Sequence, residues 1–309
     1  MKDLSALKRK RLFLFDLDGT LYLGDTLFSG VRELLGCIRA RGGQYRFLTN
    51  NSSRSVEAYV EKLTRLGIIA ESKDFLTSVD ALIAHLRAHG MRGKTFYVCG
   101  TESMRAQLRA AGFHVTDTHD GANALLMGFD TELTFQKLED ACILLGQGVP
   151  YLATNPDWVC PTSYGFVPDC GSVCEMLWRA TGRRPTVIGK PQPAMPLLAM
   201  QQAGISPTET LLVGDRIYTD IASGANAGVD TLLVLSGETK EEDLPAAEPQ
   251  PTFVLPDVRA LLDATVKLRD GKKATDMKMG LAEKLAVKKA LEKIEGTDIE
   301  KLLKEYNVI

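Results

Sequence analysis

The chain has 309 residues, 45% hydrophobic and 25% charged, which fits a globular protein with room for one large domain carrying an insertion, or for two ordinary domains. Lysines and arginines number 37 against 39 acids, so no overall field exists to collect nucleic acid or an anionic membrane, and any anion site must be local. The apolar run Leu12-Phe13-Leu14-Phe15 is too short for a signal peptide or a membrane span, and a cytoplasmic protein is expected.

Arg11 to Phe15 reads as a buried strand that runs into the tight turn Asp16-Leu17-Asp18-Gly19-Thr20. Val31, Leu34, Leu35 and Ile38 then recur at helical spacing until Gly42-Gly43 stops the pattern. Tyr45 to Leu48 is a second strand, ending in Thr49-Asn50-Asn51. Ser52, Ser53 and Ser55 offer caps for a helix with Val56, Tyr59, Leu63 and Leu66 on one face. Strand, helix, strand, helix is the order of a parallel sheet.

The middle of the chain repeats that order. Strands are expected at Thr95 to Val98, Ala124 to Met127 and Tyr151 to Ala153, with a helix over Lys137 to Leu145. A last block has strands at Thr186 to Ile188 and Thr210 to Val213 around a helix over Gln192 to Ala203, and a short helix near Val258 to Leu262. From about residue 266 the composition turns to Lys, Glu, Ala and Leu, with a capping box at Thr297 and Glu300 and an apolar face of Ile299, Leu302, Leu303 and Tyr306.

The predicted organisation is therefore α/β: a doubly wound parallel-sheet core from residues 1–78 and 185–265, an inserted α/β unit over 79–184, and a helical extension over 266–309. The six cysteines form no CxxC pair and are expected as free thiols. His85 and His89 lie one helical turn apart, but no further ligand motif accompanies them, so an exposed helix face is expected there.

Four predicted strand ends carry polar groups that a parallel sheet would gather into one crevice. The first supplies Asp16 and Asp18 on a turn that Gly19 permits. The second supplies Thr49 and Asn50, short groups suited to a phosphoryl oxygen. The third supplies Lys190 in Gly189-Lys190-Pro191, a compact positive charge. The fourth supplies Asp215 and Asp220. So many acids at one place call for a bound cation, and hard oxygen donors without histidine or thiolate describe Mg²⁺ better than zinc.

In these four motifs and their order, residues 10 to 265 resemble the haloacid dehalogenase superfamily. Asp18-Gly19-Thr20-Leu21-Tyr22, Leu48-Thr49-Asn50-Asn51-Ser52-Ser53 and the long insertion before Gly189 are similar to its NagD-like, or p-nitrophenyl phosphatase, branch. The resemblance implies a Mg²⁺-dependent phosphatase of small phosphorylated metabolites such as nucleoside monophosphates or sugar phosphates, working through an aspartyl-phosphate. It implies Asp16 as nucleophile and Asp18 as general acid and base, with Thr49, Asn50 and Lys190 on the substrate phosphate. Mg²⁺ would rest on Asp16, the Asp18 carbonyl oxygen and Asp215, with Asp220 behind, acting through water or by orienting Lys190.

The insertion resembles a cap that closes the crevice and selects the leaving group. Asp130, Asn155 and Asp157 are its candidate contacts because they follow strand ends. Pro168-Asp169-Cys170-Gly171-Ser172 departs from the glycine-rich turn common in relatives. A phosphomutase, or a phosphate-binding protein without turnover, are the alternatives; a dehalogenase fits less well, since it would need no metal. A homo-oligomer formed through the cap or the extension stays open.

Overall fold

The structure, a computed structural model, describes residues 3–162 and 164–270. Its first strands are β1 (Leu12–Phe15), β2 (Tyr22–Leu23), β3 (Thr26–Leu27), β4 (Gln44–Thr49) and β5 (Phe75–Thr77). Next come β6 (Thr95–Cys99), β7 (His114–Thr116), β8 (Ala124–Met127), β9 (Tyr151–Ala153), β10 (Val159–Thr162), β11 (Gly165–Pro168) and β12 (Thr186–Val187). The last are β13 (Thr210–Gly214), β14 (Asp230–Val234) and β15 (Phe253–Leu255). The helices are α1 (Val31–Ala40), α2 (Val56–Arg65), α3 (Ser78–Ala88), α4 (Glu102–Ala110), α5 (Phe135–Gly146), α6 (Cys170–Thr181), α7 (Ala194–Ala203), α8 (Ala222–Asn226) and α9 (Val258–Asp270).

β1 is apolar throughout and fully buried, as a central strand covered on both faces must be. It pairs in parallel with β4 on one side and β13 on the other, within a six-stranded parallel sheet ordered β15-β14-β13-β1-β4-β5. The chain thus winds away from β1 in both directions, which opens a crevice at the carboxyl end of β1. A second, five-stranded parallel sheet is ordered β12-β9-β8-β6-β7. Two antiparallel hairpins, β2–β3 and β10–β11, stand apart from both sheets.

Alternation along the strands sorts the apolar side chains. Phe13 and Phe15 pack with α1 and α9, whereas Leu12 and Leu14 face α3 and α7. That second cluster continues without a break through Val79, Leu82 and Leu86 to Phe96, Val98, Leu126 and Leu152 of the second sheet. The two sheets are therefore joined by one apolar layer as well as by connecting loops, each large buried side chain contributing about 1.5–3 kcal/mol. On its far face the second sheet packs Tyr97, Leu125 and Met127 under α5 and α6.

One strand falls elsewhere than expected. Thr186–Val187 does not return to the first sheet but pairs with β9 at the edge of the second, which therefore runs past the expected boundary at residue 184. The Ile188 N–H donates to the Ala153 carbonyl and fixes that choice; a short β-branched strand carries no pattern that separates the two sheets. α9 is longer than the helix expected over Val258–Leu262. The rest of the expected helical extension, including its Thr297 cap, lies outside the described residues.

The six cysteines are free thiols. His85 and His89 stack on each other, with ring centroids 3.9 Å apart, on the exposed side of α3. Among the described residues no helix is long and apolar enough to cross a membrane.

Candidate active site

The carboxyl ends of β1, β4 and β13 meet where sequence order had placed the four motifs. Asp16 follows β1 directly, and its backbone N–H continues the ladder to the Val213 carbonyl at 2.9 Å. Its Oδ1 accepts a hydrogen bond from Lys190 Nζ at 2.5 Å, and the same ammonium reaches Asp220 Oδ1 at 2.6 Å and the Leu48 carbonyl at 3.4 Å. Lys190 is 2% exposed. Burial alone would push its ammonium toward the neutral form, but Asp16 and Asp220 hold its pKa above the ordinary value.

Asp215 stands at the end of β13, 1% exposed. Its Oδ1 accepts from Thr20 Oγ1 at 3.2 Å and its Oδ2 from the Glu238 N–H at 2.8 Å. Gly237 lies so close that a side chain there would overlap the Asp215 carboxylate. Ser236 donates from Oγ to the Gly19 carbonyl at 2.8 Å. The loop after β14 thus braces both the Asp16–Thr20 turn and Asp215, which no motif in the sequence had indicated. Gly19 itself has φ +83°, a left-handed conformation that favours glycine.

Single carboxylate oxygens of Asp16, Asp215 and Asp220 lie within 4.8 Å of one another. Burial raises the pKa of Asp16 despite Lys190, and burial with the neighbouring Asp220 pushes Asp215 up to about 6. Three crowded oxygen donors that repel one another, Asp215 and Asp220 buried and Asp16 half-buried, fit a hard divalent cation, which would favour their charged forms. Asp220 belongs to this cluster geometrically while also holding Lys190, the orienting contact expected of it.

Asp18 points elsewhere. Its carboxylate is 46% exposed, accepts from the Tyr22 hydroxyl at 3.2 Å, and lies 3.7 Å from Lys62 Nζ. Lys62 reaches it from α2 across the Tyr22 ring, 4.0 Å from the ring centroid. Lys62 was not legible as a site residue; its only signal was its place one turn after Tyr59, another residue of the cavity wall.

Thr49 ends β4 on the cavity wall, where its Oγ1 accepts from the Asn51 N–H. Asn50, of which a phosphate contact was expected, also lines the cavity, and its side chain is held by protein partners. Its Nδ2 reaches both Asp157 carboxylate oxygens at 3.2 Å and the Lys190 carbonyl at 3.0 Å, and its Oδ1 accepts the Lys190 N–H at 2.9 Å. Asn50 therefore clips Lys190 to the segment that follows β9.

Of the three acids and amides expected in the inserted unit, only Asp157 lines the cavity. Asn155 donates to the Asn50 carbonyl and accepts the Asp157 N–H, a buried structural link. Asp130 is paired with Lys137 at 2.8 Å and is not in the cavity wall. A residue noticed only as an irregularity does reach it: Asp169, whose carboxylate caps α6 and whose pKa burial pushes up to about 7.

The cavity, about 480 Å³, runs from Asp16, Thr49, Lys190 and Asp220 up to Arg54, Lys62, Arg216 and the β10 residues Val159 to Thr162. A buried ammonium beside a paired set of acids, under a cavity of this size, suits a small anionic ligand.

Comparison with known proteins agrees with this geometry. Residues 13–114 match the family model for haloacid dehalogenase-like hydrolases, and residues 187–261 match a second model of the same kind. The chain is 34% identical over 249 residues to the 5′-nucleotidase YutF of Bacillus subtilis, covering 81% of this chain and 96% of that one. A 4-nitrophenylphosphatase structure from Thermotoga maritima is 37% identical with a TM-score of 0.80, covering 84% and 99%. A glycerol phosphate phosphatase from Mycobacterium tuberculosis, solved with calcium, is 31% identical with a TM-score of 0.78, covering 83% and 76%.

The chain belongs to the haloacid dehalogenase-like hydrolases and is a phosphoric monoester hydrolase. Within that class its neighbours are the NagD and p-nitrophenyl phosphatase proteins.

Proposed function

We propose that this chain is a Mg²⁺-dependent phosphatase of small phosphomonoesters that works through a phosphorylated Asp16. The reading is carried by the buried Lys190 ammonium held between Asp16 and Asp220, at 2.5 and 2.6 Å, on the floor of the cavity. A carboxylate attacks a phosphate dianion only where positive charge offsets their repulsion. Lys190 is one such charge. Mg²⁺ held by Asp16, Asp215 and the Asp18 carbonyl oxygen, with Asp220 beside them, would supply the other by drawing charge from the phosphoryl oxygens. Calcium in the Mycobacterium tuberculosis relative, another hard divalent ion, supports this choice.

Thr49, at the end of β4, turns its hydroxyl to the phosphoryl group. An oxygen of Asp16 attacks phosphorus as the bond to the leaving oxygen breaks, and Asp18 gives that oxygen its proton. The Asp18 carboxylate then takes a proton from a water whose oxygen attacks phosphorus, which frees inorganic phosphate and restores Asp16. Tyr22 and Lys62 hold Asp18 at the cavity, clear of the Lys190 cluster. The inserted unit acts as the cap, meeting the leaving group through Asp157, Asp169 and β10. The relatives' names, a 5′-nucleotidase and a glycerol phosphate phosphatase among them, support small phosphorylated metabolites as substrates.

Phosphate release from a panel of phosphomonoesters, with and without Mg²⁺, tests this against Asp16→Asn. Metal-dependent turnover is expected in the wild type, with a loss of about 10³-fold or more in the variant. A rearranged ester in place of free phosphate would make the protein a phosphomutase. Tight ester binding without turnover by the wild type would sink the hydrolase mechanism and leave a phosphate-binding protein.

A further inference from the structure

Arg54 precedes the cap residue of α2 and is exposed in the cavity wall, near Tyr59 and Lys62 of the same helix. The other cations of that wall have partners. Lys190 is held by Asp16 and Asp220, Lys62 lies beside Asp18, and Arg216 pairs with Glu238 at 2.9 Å. Arg54 has no hydrogen bond or ion pair among the described residues.

The place it charges is shared. The Cys160 thiol of β10, in the same wall, lies within electrostatic reach of Asp18, Arg216 and Arg54. Asp18, Arg54 and Arg216 thus line one cavity. Burial raises the pKa of the two acids that the inserted unit adds to that wall, Asp157 and Asp169.

We propose that Arg54, with Arg216 of the same cavity wall, forms a second anion subsite, so that the preferred substrates are phosphomonoesters whose leaving group carries a carboxylate or a further phosphate. The proposal rests on the phosphatase reading of the same cavity but places selectivity on the loops before α2 and after β13 of the first sheet, whereas the sequence had assigned it to the insertion. A guanidinium recognises either anion through paired N–H donors, and an exposed one does so with strong salt dependence.

Binding to the full chain carrying Asp16→Asn tests it, because there an ester is read whether or not the protein hydrolyses it. The probes are 3-phosphoglycerate against glycerol 3-phosphate, and glucose 1,6-bisphosphate against glucose 6-phosphate, by calorimetry in Mg²⁺. Each probe with a second anionic group is expected to bind about tenfold or more tightly than the partner that lacks it. Adding Arg54→Gln should collapse that ratio toward one, Arg54→Lys should keep much of it, and salt should lower it. Preference in one pair alone would name carboxylate or phosphate as the recognised group. Equal affinities within both pairs, or a ratio unchanged by Arg54→Gln, would overturn the subsite. Failure of the phosphatase reading shows separately, as no phosphate released by the wild type.

Discussion

The two parallel sheets are built by the same alternation of strand and helix, yet their carboxyl ends do different work. Those of the first carry Asp16 and Thr49, which line the cavity, and the buried Asp215, whose carboxylate clusters with that of Asp16. Those of the second end in Gly100, Gly128 and Thr154, small groups that grip the loop after β4. Ser52 Oγ contacts Thr154 Oγ1 at 3.1 Å and accepts the Phe129 N–H at 2.8 Å, while Thr101 donates to the Ser53 carbonyl. A side chain on Gly128 would strike Ser52 and Met104. One sheet thus presents reactive groups and the other fixes the loop that positions them, which is what preorganisation requires of neighbouring elements.

The contrast is broken most directly at Asn50, where both units meet. Asn50→Ala leaves the Asp157 carboxylate and the Lys190 peptide group without partners in a buried place. We expect a stability loss of about 2–4 kcal/mol in urea unfolding, and a fall of roughly 10²-fold in kcat/KM for 4-nitrophenyl phosphate as Lys190 loses its register. An unchanged kcat/KM would show that the clip does not position the ammonium.

A smaller effect lies at Asp169. Its folded pKa of about 7 is above the roughly 3.9 of an unfolded aspartate, so the folded state binds more protons between those values. Stability should therefore fall as pH rises from about 4 to 7. Asn also caps helices, so Asp169→Asn should keep α6 while removing that slope. The variant should gain about 1–3 kcal/mol at pH 8 and little at pH 4, read by unfolding at both pH values. A slope that persists in the variant would assign it to another group.

The smallest effect sharpens the comparison from the far side. Asp130 follows β8 much as Asp157 follows β9, but it binds Lys137 and stands outside the cavity wall. Asp130→Asn should cost about 1 kcal/mol or more and leave kcat/KM within about twofold. A large drop in kcat/KM with unchanged stability would return Asp130 to the substrate.

Much of this molecule was legible in its sequence. The apolar strands, their caps and the four motifs depend on local pattern, because burial on two faces demands continuous apolar runs and sharp turns demand particular residues such as Gly19. The order of those motifs then sufficed to gather Asp16, Asp215 and Asp220, since a parallel sheet brings strand ends together whatever their separation in the chain, whereas Lys190 reaches the same place from the edge of the second sheet.

Only the tertiary structure decided the rest. Whether Thr186–Val187 joined the first sheet or the second rested on its pairing with β9, and a two-residue strand carries no local pattern by which to choose. Asn50, Asp130 and Asp157 are all polar residues after strands, and their separate roles come from which side chains lie opposite them. Arg54, Lys62 and the Gly237 loop share the site because helix α2 and the end of β14 are packed against it. Packing partners of that kind are set by the whole fold, and no spacing along the chain records them.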